Sequence, residues 1–308
     1  MIINTGMRTD IPAFYSQWLI NRIQAGYVLV RNPYRPEYVT RYELDPDVVD
    51  CLAFCTKNPE PMLKHLDKLR DYHQFWFVTI TPYGKEIEPN VPPKEKVMQS
   101  FISLSKAVGS NCVNWRYDPI LINETYTLNK HIEDFELMCK TLSGYTDVCV
   151  ISFIDLYEKV RRNFPNSREV THSERIAIGK AFYEIGKRYG ITVKACAEGK
   201  ELAEYGIDCG GCMTKETLEK AIGSRLITPN KKTQRDNCTC VLGTDIGAYD
   251  TCRHFCKYCY ANYNKENVKN NSALHDPKSP LLVGDLQKGE TVHQAKQESY
   301  IDRQLTLF

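Results

Sequence analysis

Cys252-Arg253-His254-Phe255-Cys256-Lys257-Tyr258-Cys259 spaces three thiols by three and then two residues. That spacing lets one tight loop fold round a single metal centre with its sulfurs turned inward. Three soft ligands leave a fourth position open, as a catalytic metal or cluster requires, whereas a structural zinc site is closed by a fourth protein ligand. His254 is the candidate for closing it around zinc. It lies inside the loop, two residues from Cys252 and from Cys256, and its reach to a shared metal is strained.

Thirteen cysteines occur in 308 residues, and eight of them fall between Cys196 and Cys259. Reducing compartments keep thiols free, so metal or redox chemistry explains this density better than disulfides. Cys196, Cys209, Cys212, Cys238 and Cys240 form a CxxC, a CxC and one further thiol. They suffice for a second tetrahedral site or a second iron–sulfur cluster, assigned to Cys196, Cys212, Cys238 and Cys240 with Cys209 spare. Cys51, Cys55, Cys112, Cys139 and Cys149 sit in apolar runs and are expected to pack as small hydrophobes.

The elements that position these residues read as βα units. Expected strands are IINTG, VDCLAFCT, QFWFVTIT, SNCVNWRY, DVCVISFI and ITVKACA. Val97, Phe101, Leu104 and Val108 recur at helical spacing, as do Ile178, Phe182 and Ile185, and Thr171 with Glu174 fits a capping box. The expected fold is α/β, a partial or near-complete (β/α) TIM-like barrel or an open doubly wound sheet, with function at the C-terminal strand ends. Those ends carry Arg8, Thr9 and Asp10, then Thr56, Lys57 and Asn58, then Thr81, Tyr83 and Glu88. Arg116, Tyr117, Asp118, Asp155, Cys196 and Glu198 complete the set. The expected organisation is a barrel core over 1–200, a cysteine-rich segment over 201–265 packed on its mouth, and an extension over 266–308.

Forty basic and 38 acidic residues leave a net charge of +2, which excludes a global field for nucleic acid or anionic membranes. A local basic excess remains around Arg225, Lys231, Lys232 and Arg235. No stretch reaches the roughly 18 apolar residues of a membrane span, and no charged leader precedes an apolar run. The expectation is a cytoplasmic protein with no membrane contact.

CRHFCKYCYAN resembles the CxxxCxxC cluster loop of the radical S-adenosylmethionine superfamily, with Tyr258 as the aromatic before the third cysteine. Tyr260 and Ala261 are similar to the YCYA form of its spore photoproduct lyase-like branch. CTKNPEPMLKHL, FWFVTITPYGKEIEPNVPPKEKVMQSFISLSKAVG and WRYDPIL resemble the middle strands of that branch. With MRTDIPAFY at the start, the whole chain resembles the DUF1848 family. In the superfamily the cysteine loop follows the first barrel strand, and here it follows the sixth. The resemblance therefore implies a circularly permuted order, with the cysteine loop docked beside the strand that begins IINTG.

The resemblance further implies that Cys252, Cys256 and Cys259 ligate three irons of a four-iron–four-sulfur (4Fe-4S) cluster, whose fourth iron chelates S-adenosylmethionine. Reductive cleavage by a flavodoxin- or ferredoxin-type partner would then give a 5′-deoxyadenosyl radical and hydrogen abstraction. Lys57, Arg116 and Asp118 are expected in catalysis, and Arg8, Thr9, Asp10, Asn58 and Tyr258 in cofactor binding. The substrate is open between a small molecule, a peptide and a DNA lesion. The rival class is a non-enzymatic metal protein carrying structural zinc or an electron-transfer cluster.

Overall fold

The computed structural model describes residues 1–229, 238–241 and 243–304. Ten strands and nine helices occur among them. The strands are β1 (Ile2–Asn4), β2 (Tyr27–Arg31), β3 (Tyr38–Glu43), β4 (Cys51–Thr56), β5 (Gln74–Thr79), β6 (Val113–Ile120), β7 (Val148–Phe153), β8 (Thr192–Ala195), β9 (Thr244–Asp245) and β10 (Thr291–Gln294). The helices are α1 (Ile11–Phe14), α2 (Ser16–Ala25), α3 (Glu60–Leu63), α4 (Lys94–Val108), α5 (Leu128–Leu142), α6 (Glu158–Asn163), α7 (His172–Tyr189), α8 (Lys215–Ile222) and α9 (Lys265–Ala273).

Seven strands form one parallel sheet in the order β8-β7-β6-β5-β4-β1-β9. The six expected strands appear in sequence order, because right-handed crossovers set each new parallel strand beside the last. The seventh, β9, was not read from the sequence. It comes late in the chain yet pairs with β1, matching Ile3 to Thr244 and Asn4 to Asp245. The sheet is open, with β8 and β9 at its edges among the described residues.

Alternation divides the side chains between two faces. Ile3, Leu52, Phe54, Trp76, Val78, Trp115, Tyr117 and Ile151 join the large core under α4, α5 and α7. Phe135 of α5 and Phe182 of α7 stack there at 3.7 Å and 6°, and Trp115 lies 5.0 Å from Phe135. Such pairs contribute about 0.5–1.5 kcal/mol beyond their burial. The expected capping box forms, with Thr171 and Glu174 bonding each other's backbone at the start of α7.

Ile2, Cys51, Ala53, Phe75, Phe77 and Val150 point to the opposite face, where Leu218 and Ile222 of α8 plug the end nearer the strand N-termini. Above them on that face follow Cys55, Arg116, Asp118 and Ser152 at the strand ends. Cys51, Cys139 and Cys149 are buried as expected, but Cys55 and Cys112 are only partly so. Cys112 makes a 3.6 Å contact with the Ala221 carbonyl.

A second sheet, β10-β3-β2, flanks the first. Residues after 265 wrap back over the chain: Trp18 Nε1 donates to the Ser279 carbonyl at 2.9 Å, and β10 pairs with β3. Of the basic group, Lys231, Lys232 and Arg235 lie outside the described residues.

Candidate metal centre

β9 delivers the cysteine loop to the C-terminal ends of β1 and β4. Asp245, at the end of β9, accepts bonds from the Met7 amide at 2.8 Å and the Gly247 amide at 2.9 Å. Its burial raises the carboxyl's pKa, against the pull of Arg8. The loop then lies along residues 87–90 through backbone bonds, Lys257 N to Ile87 O at 3.0 Å and Asn90 N to His254 O at 3.2 Å. Phe255 adopts a left-handed φ of 57° between the first two cysteines. That conformation is uncommon for a bulky residue and reverses the chain within the loop.

Cys252, Cys256 and Cys259 are electrostatic neighbours, and burial raises the pKa of all three thiols. A neutral thiol in this setting gives up its proton when a cation takes its place. His254 does not join them. Its Nε2 lies 2.9 Å from Asp10 Oδ2 and its Nδ1 3.4 Å from the Asn90 carbonyl, while its ring packs 4.5 Å from Phe14.

Asp10 also accepts the Lys57 amide at 2.8 Å and the Ala13 amide at 3.0 Å. Its carboxylate thus ties α1, β4 and the cysteine loop together. Lys57 sits beside Cys256 and places its Nζ 2.8 Å from Glu88 Oε1. Thr81 donates to the same oxygen at 2.6 Å, and Tyr258 and Lys94 also donate to Glu88. Burial would raise the Glu88 carboxyl, but the two ammonium groups overcome it and hold its pKa at about 2. Burial alone would likewise lower Lys57, and the Glu88 charge raises it instead.

Arg8 reaches Asp245 at 3.8 Å and the Tyr249 ring at 5.7 Å, so it stands at the base of the loop. Thr9 is buried with its hydroxyl unpartnered. Asn58 caps the turn into α3, accepting the Glu60 amide at 3.3 Å. Arg116 and Asp118 pair at 2.5 Å, and Ser152 donates to Asp118. The Arg116 Nε and Asn114 Nδ2, on the same face of β6, have no partner. Tyr260 is 48% exposed although Cys55, Cys259, Asp245 and Arg116 all act on it. Its hydroxyl donates to the Met7 carbonyl.

The second cysteine set lies against the same sheet face. Cys196 and Cys212 sulfurs are 3.4 Å apart, as are those of Cys212 and Cys240. Cys238 shares a side-chain hydrogen bond with Cys240, and Cys209 turns away to the Ile207 carbonyl at 3.6 Å. Donation from Cys212 lowers Cys240 to about 5. Among the described residues, no three Cys, His, Asp or Glu groups already surround one point that a single ion would occupy.

Sequence reasoning missed Asp245, Lys94 and Ser152. Asp245 follows Thr244 at the end of a two-residue strand, which carries no periodic signal. Lys94 stands at the start of α4, where a basic residue is unremarkable.

No curated protein matches the chain. A solved structure from Bacteroides thetaiotaomicron VPI-5482, provisionally described as an alpha-L-fucosidase, aligns at 9% identity and a TM-score of 0.30. The alignment covers 54% of this chain and 62% of that one, and at this level it bears on neither activity nor site. The model of a domain of unknown function, DUF1848, matches residues 2–261, so the chain belongs to the DUF1848 family.

Proposed function

We propose that the protein is a radical S-adenosylmethionine enzyme whose seven-stranded sheet is a permuted partial barrel and whose cluster rests on Cys252, Cys256 and Cys259. The observation that carries this reading is a set of three thiols on one loop, Cys256 buried and Cys252 and Cys259 half-buried, whose neighbouring histidine is committed to Asp10 and Asn90. Three thiols without a fourth protein ligand fit a cluster with one iron left open. The pairing of β9 with β1 supports the permuted order, because it puts the cysteine loop after the strand that heads the sheet.

When bound and reduced, such a cluster supplies the electron that splits S-adenosylmethionine and so yields the 5′-deoxyadenosyl radical that takes a hydrogen atom from substrate. The chain's residues bind, orient and shield. Lys57, locked on Glu88, keeps a fixed positive charge beside Cys256. Tyr258, held by the same carboxylate, walls off that side of the loop. The Arg116 and Asp118 pair offers charged groups to a polar ligand, with the buried, unpartnered Arg116 Nε and Asn114 Nδ2 beside it on β6. Arg116 can hold a carboxylate or phosphate bidentately. The electron comes from a flavodoxin- or ferredoxin-type partner in the cytoplasm, and the substrate class stays open between a small molecule, a peptide and a DNA lesion.

Anaerobic purification with iron and sulfide analysis, followed by dithionite reduction with S-adenosylmethionine, tests the reading. Brown protein that releases 5′-deoxyadenosine is the expected result. Colourless, zinc-loaded protein, or a full cluster that neither binds nor cleaves the cofactor, would overturn it in favour of a structural or electron-transfer site.

A further inference from the structure

We propose that Cys196, Cys212, Cys238 and Cys240 bind one structural zinc ion against the inner face of the sheet, independently of the cluster loop. The four thiols come from three separate segments: Cys196 follows β8, Cys212 lies in the turn before α8, and Cys238 and Cys240 lie on the segment that returns to β9. Nothing in local sequence brings these segments together, yet Cys196, Cys212 and Cys240 meet with sulfurs 3.4 Å apart.

The spacing discriminates between occupants. Zinc binds thiolate at about 2.3 Å, so a tetrahedral zinc holds its sulfurs about 3.8 Å from one another. Cysteines of a four-iron cluster bind separate irons and stand further apart. Cys252, Cys256 and Cys259 make no thiol–thiol hydrogen bond with one another among the described residues, whereas this set forms a continuous chain of them. No three of these thiols surround one point as they stand, so the ion draws them together from this chain of contacts.

The backbone round Cys212 is shaped for the purpose. The Met213 amide points at Cys240 Sγ from 3.3 Å, so a thiolate there is stabilised by an N–H donor. Gly211 has a φ of +102°, and a Cβ at that position would stand 2.6 Å from Thr239 Oγ1 and 3.6 Å from Cys240 Sγ. Only glycine permits the two segments to approach so closely. Four thiolates carry more negative charge than one divalent ion neutralises, and Arg116, a charge neighbour of Cys196 and Cys212, offsets part of the excess. The ion would cross-link the stretches round Cys196, Cys212 and Cys240 beyond what their buried apolar residues, among them Leu202, Ile207, Leu218, Ile222 and Leu226, contribute.

The test is metal analysis of the full chain purified without added metal, with zinc and iron measured in the same sample. About one zinc per chain is expected, bound in wild type and in Cys256→Ala, kept in Cys209→Ser, and lost in Cys212→Ser and Cys240→Ser. Because the last two variants can misfold, X-ray absorption at the zinc edge of wild type supplies a second measurement, with four sulfur neighbours expected. Wild-type protein without zinc, a zinc shell containing nitrogen or oxygen, zinc retained in folded Cys240→Ser, or iron in place of zinc at this set would each overturn the proposal. Because the two sets share no ligand, absence of iron alone from wild type counts against the cluster and absence of zinc alone against this ion, while Cys256→Ala should lose iron and keep zinc.

Discussion

The two cysteine sets lie on the same sheet, one at the C-terminal strand ends and one against a face, and are held in different ways. Cys252, Cys256 and Cys259 belong to a single loop that the protein positions without help from sulfur, through the β9–β1 pairing and backbone bonds to residues 87–90. Cys196, Cys212, Cys238 and Cys240 belong to separate segments that meet through their sulfurs and through scattered backbone bonds such as Ala195 N to Asp208 O at 2.8 Å and Val241 N to Met213 O at 2.9 Å. A centre whose ligands are placed by the fold leaves room for a reacting group. A centre with all four ligand positions filled from separate segments does not, because each ligand also cross-links a segment.

The largest effect expected from this contrast follows Cys256→Ala. Iron and cofactor cleavage should fall to background, at least about a hundredfold, while the circular dichroism spectrum and melting temperature barely change, because the loop keeps its backbone anchors. Collapse of the whole fold in that variant would make the first set a structural site like the second.

Glu88→Gln strikes the scaffold of the first centre. It strips Lys57 and Lys94 of their buried counter-charge, for a loss of about 3–5 kcal/mol by chemical denaturation. The effect also has a sign in pH. The folded pKa of about 2 lies below the ordinary carboxylate value, so this stabilisation is complete above pH ~4.5 and disappears as pH falls towards 2. Wild type and variant should therefore converge in stability across that acidic window. Parallel curves would remove Glu88 from the account.

Glu198, two residues beyond Cys196, titrates in the opposite sense. Burial raises its pKa to about 7 despite the Arg175 guanidinium 2.9 Å away. A raised carboxyl stabilises the fold below its ordinary pKa and forfeits that contribution as pH climbs through 7. Glu198→Gln should gain up to about 3 kcal/mol on wild type at pH 8 and nothing at pH 4. No pH-dependent gain would mean that Arg175 keeps the carboxylate charged.

Cys139→Ala is the smallest change and serves as the contrast to both sets. Its thiol is buried under α5 among apolar neighbours, so about 1 kcal/mol of stability should be lost with zinc and iron unchanged.

The sequence made the helix-covered half of the molecule readable, because Val97, Phe101 and Leu104 on α4 and the alternating Leu52, Phe54, Trp76 and Val78 carry their periods openly. The cysteine loop was readable for the same reason, its chemistry being confined to eight consecutive residues. The hairpin of β2 and β3 was within reach, since YVLVR and YVTRYE are rich in β-formers. β9 was not: two residues have no period, and Thr244 and Asp245 form a strand only because β1 offers them an edge. The partnership of Glu88 with Lys57, Lys94 and Tyr258 was equally hidden, since it joins residues that only the folded sheet makes neighbours.

The seating of β9 beside β1 also sets a timetable. During synthesis β9 leaves the ribosome roughly ten to fifty seconds after β1 at 5–20 residues per second. Through that interval β1 has its β4 neighbour but an open outer edge, the kind of edge that recruits strands from other chains. The cysteine loop arrives only when the remainder of the sheet has been made. Should the loop take up the proposed cluster, iron would therefore meet a sheet whose other six strands are already made, and iron shortage would leave a folded apoprotein rather than an unfolded chain.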